Sequence, residues 1–194
     1  SPQPVPGEDV NPLDILRQLH PDGGLLCMAP HPTRDFVTID FDQWEKAKDV
    51  LPFWEMVVPN LMSTREGMTL DGKPSPRCKA NAAKVMRYVV VEIDLAPDSP
   101  ILPEGVTPQM FSAGFLLNAG MPRKRLRMVV SSGGKSLHGW FDARDIDPHR
   151  SFRDLCRFGT DWRGCLPAQQ FRLPNGFRAD KSARQSVLFF NPHP

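Results

Sequence analysis

Leu126-Arg127-Met128-Val129-Val130-Ser131-Ser132-Gly133-Gly134-Lys135-Ser136-Leu137-His138-Gly139-Trp140-Phe141-Asp142 reads as two apolar strands, Leu126 to Ser131 and Leu137 to Asp142, joined by a short glycine turn. The turn sets a cation, a hydroxyl and an imidazole directly after a glycine pair. Gly133 and Gly134 permit close approach of the backbone, and Lys135, Ser136 and His138 all carry donors for phosphate oxygens. It is not a P-loop, because the first glycine of G-x-x-x-x-G-K-[ST] would fall at Val129. Trp140 lies two residues beyond His138 on the same strand face and is expected to pack rather than to stack on a base.

Working outward from this hairpin, strand-like and helix-like runs alternate from Met86 onward. Upstream lie a β-branched strand, Arg87 to Asp94, and a helix near Thr107 to Asn118, capped by Thr107, opened by Pro108 and stopped near Gly120. Downstream comes a helix from about Asp147 to Phe158, with Asp147 as its cap and Pro148 at its first position, followed by strand-like pieces at Phe171 to Leu173 and Ser186 to Asn191. The order β-α-β-β-α-β is that of an RRM-like, ferredoxin-like split βαβ module, and the fold class expected is α+β. In that plan the first and third strands are central, antiparallel neighbours. The end of the first then lies beside the beginning of the third, which brings Glu92 and Asp94 to His138.

The first half is less regular. Ser1 to Pro12 holds four prolines and reads as a linker or a tail of a longer chain. Pro12 to His20 has a helical pattern, with Leu13, Leu16 and Leu19 in register and Asn11 as a cap. Apolar pieces follow at Leu25 to Met28 and Phe36 to Phe41, then a helix near Asp42 to Leu51 and a surface loop from Ser63 to Ala80. We expect an N-terminal α/β module over residues 13–85 and the RRM-like module over 86–194, with Pro192 to Pro194 as a domain end.

Composition is that of an ordinary soluble protein, with 40% hydrophobic residues among 194. No apolar run approaches the roughly 20 residues that span a bilayer, and no secretory signal opens the chain, so the location expected is cytoplasmic. Cys27, Cys78, Cys156 and Cys165 form no C-x-x-C pair, which argues against both a zinc knuckle and a disulfide framework. Charge is divided unevenly. Residues 1–120 carry 10 Lys and Arg against 16 Asp and Glu, whereas residues 121–194 carry 14 against 6, and 11 of those 14 cations are arginines. Arginine binds phosphate oxygens through a planar fork, so the second half is expected to meet a polyanion.

Glu92 and Asp94 project from one face of their strand and offer oxygen ligands for a divalent metal. The third carboxylate expected is Asp161, in Phe158-Gly159-Thr160-Asp161; Asp142 and Asp154 are weaker alternatives. Arg172 leads a short strand into a Pro174-Asn175-Gly176 turn and is placed for a phosphate contact, while Arg178, Lys181 and Arg184 extend the basic surface toward a nucleic-acid strand.

Three motifs resemble those of the archaeo-eukaryotic primase superfamily, particularly the primase-polymerase domains of plasmid, phage and other mobile-element replication proteins. Glu92-Ile93-Asp94 is similar to its acid-x-acid motif, though many relatives begin with aspartate. Ser136-Leu137-His138 is similar to its Ser-x-His motif, and Asp161 to its third acid, with Thr160 where an apolar residue is usual. Arg172-Leu173-Pro174-Asn175-Gly176 resembles an Arg-Leu-Pro-Gly segment, with Asn175 where glycine is usual. The resemblance covers residues 86–194. It implies a template-dependent nucleotidyltransferase, a DNA primase or polymerase, with two Mg²⁺ or Mn²⁺ ions on Glu92, Asp94 and Asp161. Lys135, Ser136, His138 and Arg172 would contact the nucleotide. The implied partners are single-stranded DNA, NTP or dNTP, and a fused or associated helicase.

The competing reading is a non-catalytic RRM-like module that binds single strands through aromatics. A rolling-circle nicking endonuclease, the third possibility, is disfavoured: it needs two histidines separated by one apolar residue and a tyrosine on a helix, and the only tyrosine here, Tyr88, sits in the first strand.

Overall fold

Two four-stranded antiparallel sheets face one another across a shared apolar layer in the computed structural model, which describes residues 4–95, 98–118, 121–157 and 159–193. The first half holds α1 (Pro12–Leu19), β1 (Leu25–Ala29), β2 (Val37–Asp40), α2 (Phe41–Glu45), β3 (Met56–Val57), β4 (Gly67–Met68) and β5 (Pro74–Ser75). The second holds β6 (Tyr88–Glu92), α3 (Pro108–Asn118), β7 (Leu126–Ser131), β8 (Leu137–Asp142), α4 (Pro148–Cys156), β9 (Phe171–Arg172), β10 (Phe177–Arg178), β11 (Ala183–Arg184) and β12 (Val187–Phe190).

Local chemistry accounts for the helix starts. Asn11 accepts from Leu13 N–H, Asp147 accepts from His149 and Arg150, and Thr107 Oγ1 accepts from Met110, each ahead of a proline at the first turn. The helix expected over Asp42 to Leu51 stops at Glu45 and continues as a 3-10 turn over Lys48–Phe53. Pro52 keeps this second segment out of α geometry, because its ring would clash with the carbonyl of Lys48 four residues back. The expected stop at Gly120 and the expected helix end at Phe158 lie outside the described residues.

Alternation along β6 sorts its side chains between two layers. Tyr88 and Val90 face the first sheet, where they pack with Leu26, Met28, Val57, Trp140 and Phe171. Val89 and Val91 face the helices, packing with Leu116, Phe141, Phe152 and Leu155. Trp140 is fully buried, as its packing role requires.

The strand order of the second sheet is β12-β7-β8-β6, so it departs from the split βαβ plan at one place. The first and third strands are antiparallel neighbours, as expected, but β6 is an edge strand and β12 pairs with β7 instead of β6. Two features account for this. The β10–β11 hairpin lies against the glycine turn, with Ala183 and Arg178 beside Gly133, and delivers the chain to Ser186, whose carbonyl accepts from Ser131 N–H next to β7. The edge of β6 is meanwhile covered. Asn60 bonds both backbone groups of Tyr88, Thr160 bridges Ile93, Asp161 N–H donates to Glu92 O, and Gly164 lies against Val90 O.

The first sheet has the order β2-β1-β3-β9, so it takes its last strand from the second half. Phe171 to Leu173, read as a strand of the RRM-like module, therefore joins the other sheet. The proline-rich start is tied down from Gly7 onward, because Asn175 Nδ2 donates to Gly7 O and Val10 O. The surface segment Ser63 to Ala80 contains the β4–β5 hairpin. The four cysteines are free thiols. Among the described residues, no helix is long and apolar enough to cross a membrane.

Candidate active site

Where the two sheets diverge, beyond the Val90–Trp140 pair, a cleft of about 690 Å³ opens. This volume lies in the range of small-ligand sites. Glu92 and His138 are register partners two positions beyond that pair, on the same face, and their side chains meet Oε1 to Nε2 at 3.2 Å. β9 supplies the opposite wall. Its Arg172 N–H donates to His138 Nδ1 at 3.4 Å, and the Phe171 ring stands edge-on to the imidazole. An Nδ1 that accepts leaves the ring proton on Nε2, aimed at the Glu92 carboxylate. Burial pushes the Glu92 carboxyl up. His138, the Ser136 hydroxyl and the Arg172 charge outweigh that burial and hold it below the usual glutamate range.

The glycine turn forms the roof. Ser132 N–H donates to Ser136 O at 3.0 Å, and Gly133 has φ of 70°, a left-handed conformation that favours glycine. A Cβ on Gly134 would lie 3.2 Å from Arg178 Nη1, so the missing side chain lets that guanidinium close over the turn. Lys135 Nζ reaches Asp94 at 3.0 Å, just past the end of β6. Asp161 caps a 3-10 turn, Trp162–Cys165, and pairs with Arg163 at 2.8 Å.

Nine of the ten residues assigned to the site from the sequence line this cleft: Glu92, Asp94, Asp161, Lys135, Ser136, His138, Arg172, Arg178 and Lys181. Arg184 is the exception. Its guanidinium donates to Pro52 O and Asn175 O and lies over the Phe177 ring, so it braces a turn. Asp142 sits at the far end of β8, held by Arg144 and Arg127, and those cations bring its carboxyl down to about 2 against the opposing effect of burial. Asp154 is exposed on α4.

Three contributors carry no local signal in the sequence. Arg163 lines the cleft, and Glu55 on the approach to β3 binds Arg172 at 2.7 Å. Ser132 lines the cleft too, and its buried hydroxyl has no hydrogen-bond partner among the described residues. Five lysines and arginines line the cleft against three carboxylates, which favours an anionic ligand.

As found, each carboxylate engages a protein cation or imidazole, and among the described residues no three His, Cys, Asp or Glu side chains converge as a ready-made metal cage. Mg²⁺ seldom uses such a cage; it takes one or two carboxylates together with substrate phosphates. Glu92 and Asp94, hard oxygen donors two residues apart on one cleft wall, fit that requirement, with Asp161 beside them.

No protein-family model matches the chain, and neither a curated protein nor a solved structure matches it. The functional reading therefore rests on the chemistry of the cleft.

Proposed function

We propose that this chain is a template-dependent nucleotidyltransferase of the primase-polymerase kind, making or extending primers on single-stranded DNA during replication of a mobile element. The observation that carries the reading is the meeting of Glu92 and His138 across the β6–β8 pair, with Asp94 and Lys135 beside them in a cleft rich in cations. These pieces come from separate parts of the sequence and resemble the acid-x-acid and Ser-x-His constellation of that superfamily. The β-α-β-β-α-β order also supports a relation to its RRM-like module, with the last strand placed differently.

In this reading Lys135, Ser136 and Arg172 bind the triphosphate, and their charge is directed at the oxygens where negative charge grows. His138 donates from Nε2, its orientation fixed by the Arg172 N–H on the other ring nitrogen. Glu92, Asp94 and Asp161 would hold divalent metal, which when bound supplies activation of a 3′-hydroxyl and neutralises the leaving pyrophosphate. Arg178 and Lys181 extend the cationic wall toward the template.

The alternative, a non-catalytic strand-binding module, requires an open sheet face bearing aromatics. Tyr88, Trp140, Phe141 and Phe190 of the second sheet are each 2% exposed or less, which disfavours it. The deciding experiment is incorporation of labelled NTP or dNTP on single-stranded template with Mg²⁺ or Mn²⁺. Incorporation by the parent chain and its loss in Asp94→Ala is the expected result, and normal incorporation by Asp94→Ala refutes the role.

A further inference from the structure

Glu55 is a buried carboxylate in a strand segment otherwise committed to the apolar layer. Its two oxygens serve two different segments. Oε2 accepts from Arg172 Nη1 at 2.7 Å, and Oε1 accepts from the backbone N–H of Ala179 at 3.0 Å, next to Arg178. The strands do not need this carboxylate to stay together. Leu173 N–H donates to Glu55 O at 2.8 Å, and Met56 pairs with Arg172 in the ladder. What the side chain adds is the aim of one guanidinium and the position of the residue that carries another.

Arg172 and Arg178 line the same cleft, and their like charges repel: beyond burial, Arg178 is the next cause of a lowered Arg172 pKa, opposed by Glu55. Two guanidiniums on one wall match two adjacent anionic groups; as found, Arg178 gives Nε and Nη2 to Asp180 at 2.7 and 3.2 Å, a carboxylate that a phosphate would replace. The Ser132 hydroxyl, which has no hydrogen-bond partner among the described residues and lies beside the carbonyl that Arg178 bonds, adds a donor at the same place.

We infer that Glu55 is a positioning residue that clamps Arg172 and the Arg178 segment into a paired-guanidinium subsite for the neighbouring phosphates of a polyphosphate chain. The inference rests on the nucleotide-binding reading of the cleft and names the part of the ligand that this wall takes.

The test is calorimetric titration of inorganic tripolyphosphate into the metal-free chain, comparing the parent with Glu55→Gln, Arg172→Gln and the double variant. Glu55→Gln is expected to weaken binding about tenfold, and the double variant to lose clearly less than the product of the two single losses, because Glu55 acts partly through Arg172 and partly through the Arg178 segment. Orthophosphate is expected to bind far more weakly and to respond little to either change. Parent-like affinity in Glu55→Gln, or additive losses in the double variant, overturns the clamp while leaving the nucleotide reading intact. Failure of the parent to bind tripolyphosphate overturns the nucleotide reading as well. If Glu55→Gln does not fold, Arg172→Lys decides: it keeps the charge and loses the fork, and undiminished affinity overturns the inference.

Discussion

The Glu92 carboxylate and the His138 imidazole face each other as direct register partners on β6 and β8, 3.2 Å apart, and the backbone N–H of Arg172 fixes the far side of the ring. This makes the imidazole a wedge between two sheets as well as a donor into the cleft.

Replacing His138 with Asn removes the partner that most opposes the burial of Glu92. The Glu92 carboxyl then rises, with only the Ser136 hydroxyl and the Arg172 charge left to oppose burial, so the acid limb of the incorporation profile moves to higher pH. We expect a loss of about 10²-fold or more in rate at neutral pH. A pH–rate series on both proteins measures it; an unmoved acid limb contradicts the coupling.

His20 is buried against the Phe41 and Tyr88 rings, with Nε2 against Pro59 O at 3.1 Å, and burial together with the Arg87 charge brings its pKa down to about 3. The unfolded chain takes up a proton near pH 6.5 and the folded chain does not. Stability is therefore full above about 6.5 and falls as the pH drops toward 3, by up to about 1.4 kcal/mol per pH unit. Urea unfolding across this range is expected to show the slope in the parent and a shallower one in His20→Leu.

Gly164 holds the turn of Asp161 against the open edge of β6. A Cβ there would sit 1.9 Å from Val90 O and 2.8 Å from the Phe152 ring, and neither the backbone nor the buried ring can retreat cheaply. Gly164→Ala is expected to cost about 2–3 kcal/mol in chemical denaturation and to reduce incorporation by displacing Asp161. Unchanged stability would show that the edge is not held there.

The hairpin around Gly133 and Gly134 has the strand limits that its sequence predicts, Leu126–Ser131 and Leu137–Asp142, because a glycine turn between apolar runs is a local signal. The meeting of Glu92 with His138 was legible for a related reason: antiparallel pairing of two strands fixes which ends coincide. The position of β12 was not legible. It depends on where the β10–β11 hairpin releases the chain, which is a tertiary contact with Gly133. Glu55 escaped notice because nothing near it in sequence marks it, and its partner Arg172 is 117 residues away. Arg184 looked like a free surface cation until Pro52 and Asn175 took its donors.

Asn175 is a departure from the family-like motif that the structure explains. It has φ of 56° and is 1% exposed, so it tolerates a left-handed conformation and also bonds Gly7, Val10 and Val187. Asn175→Gly keeps the backbone and loses the bonds, at about 1–2 kcal/mol; Asn175→Ala loses both and is expected to cost about 1 kcal/mol more. Equal midpoints for the two variants in urea would remove the backbone from the explanation.

The pairing of β3 with β9 has a kinetic consequence. During synthesis the first sheet waits, with one edge unmatched, until the chain beyond Arg172 has emerged, and closing so long a loop is entropically slow. Arg172 is at once the strand residue that ends this wait and a wall of the cleft. The pairing that completes the first sheet is therefore also the one that sets Arg172 into the cleft, so a chain that has completed that sheet already has this wall in place.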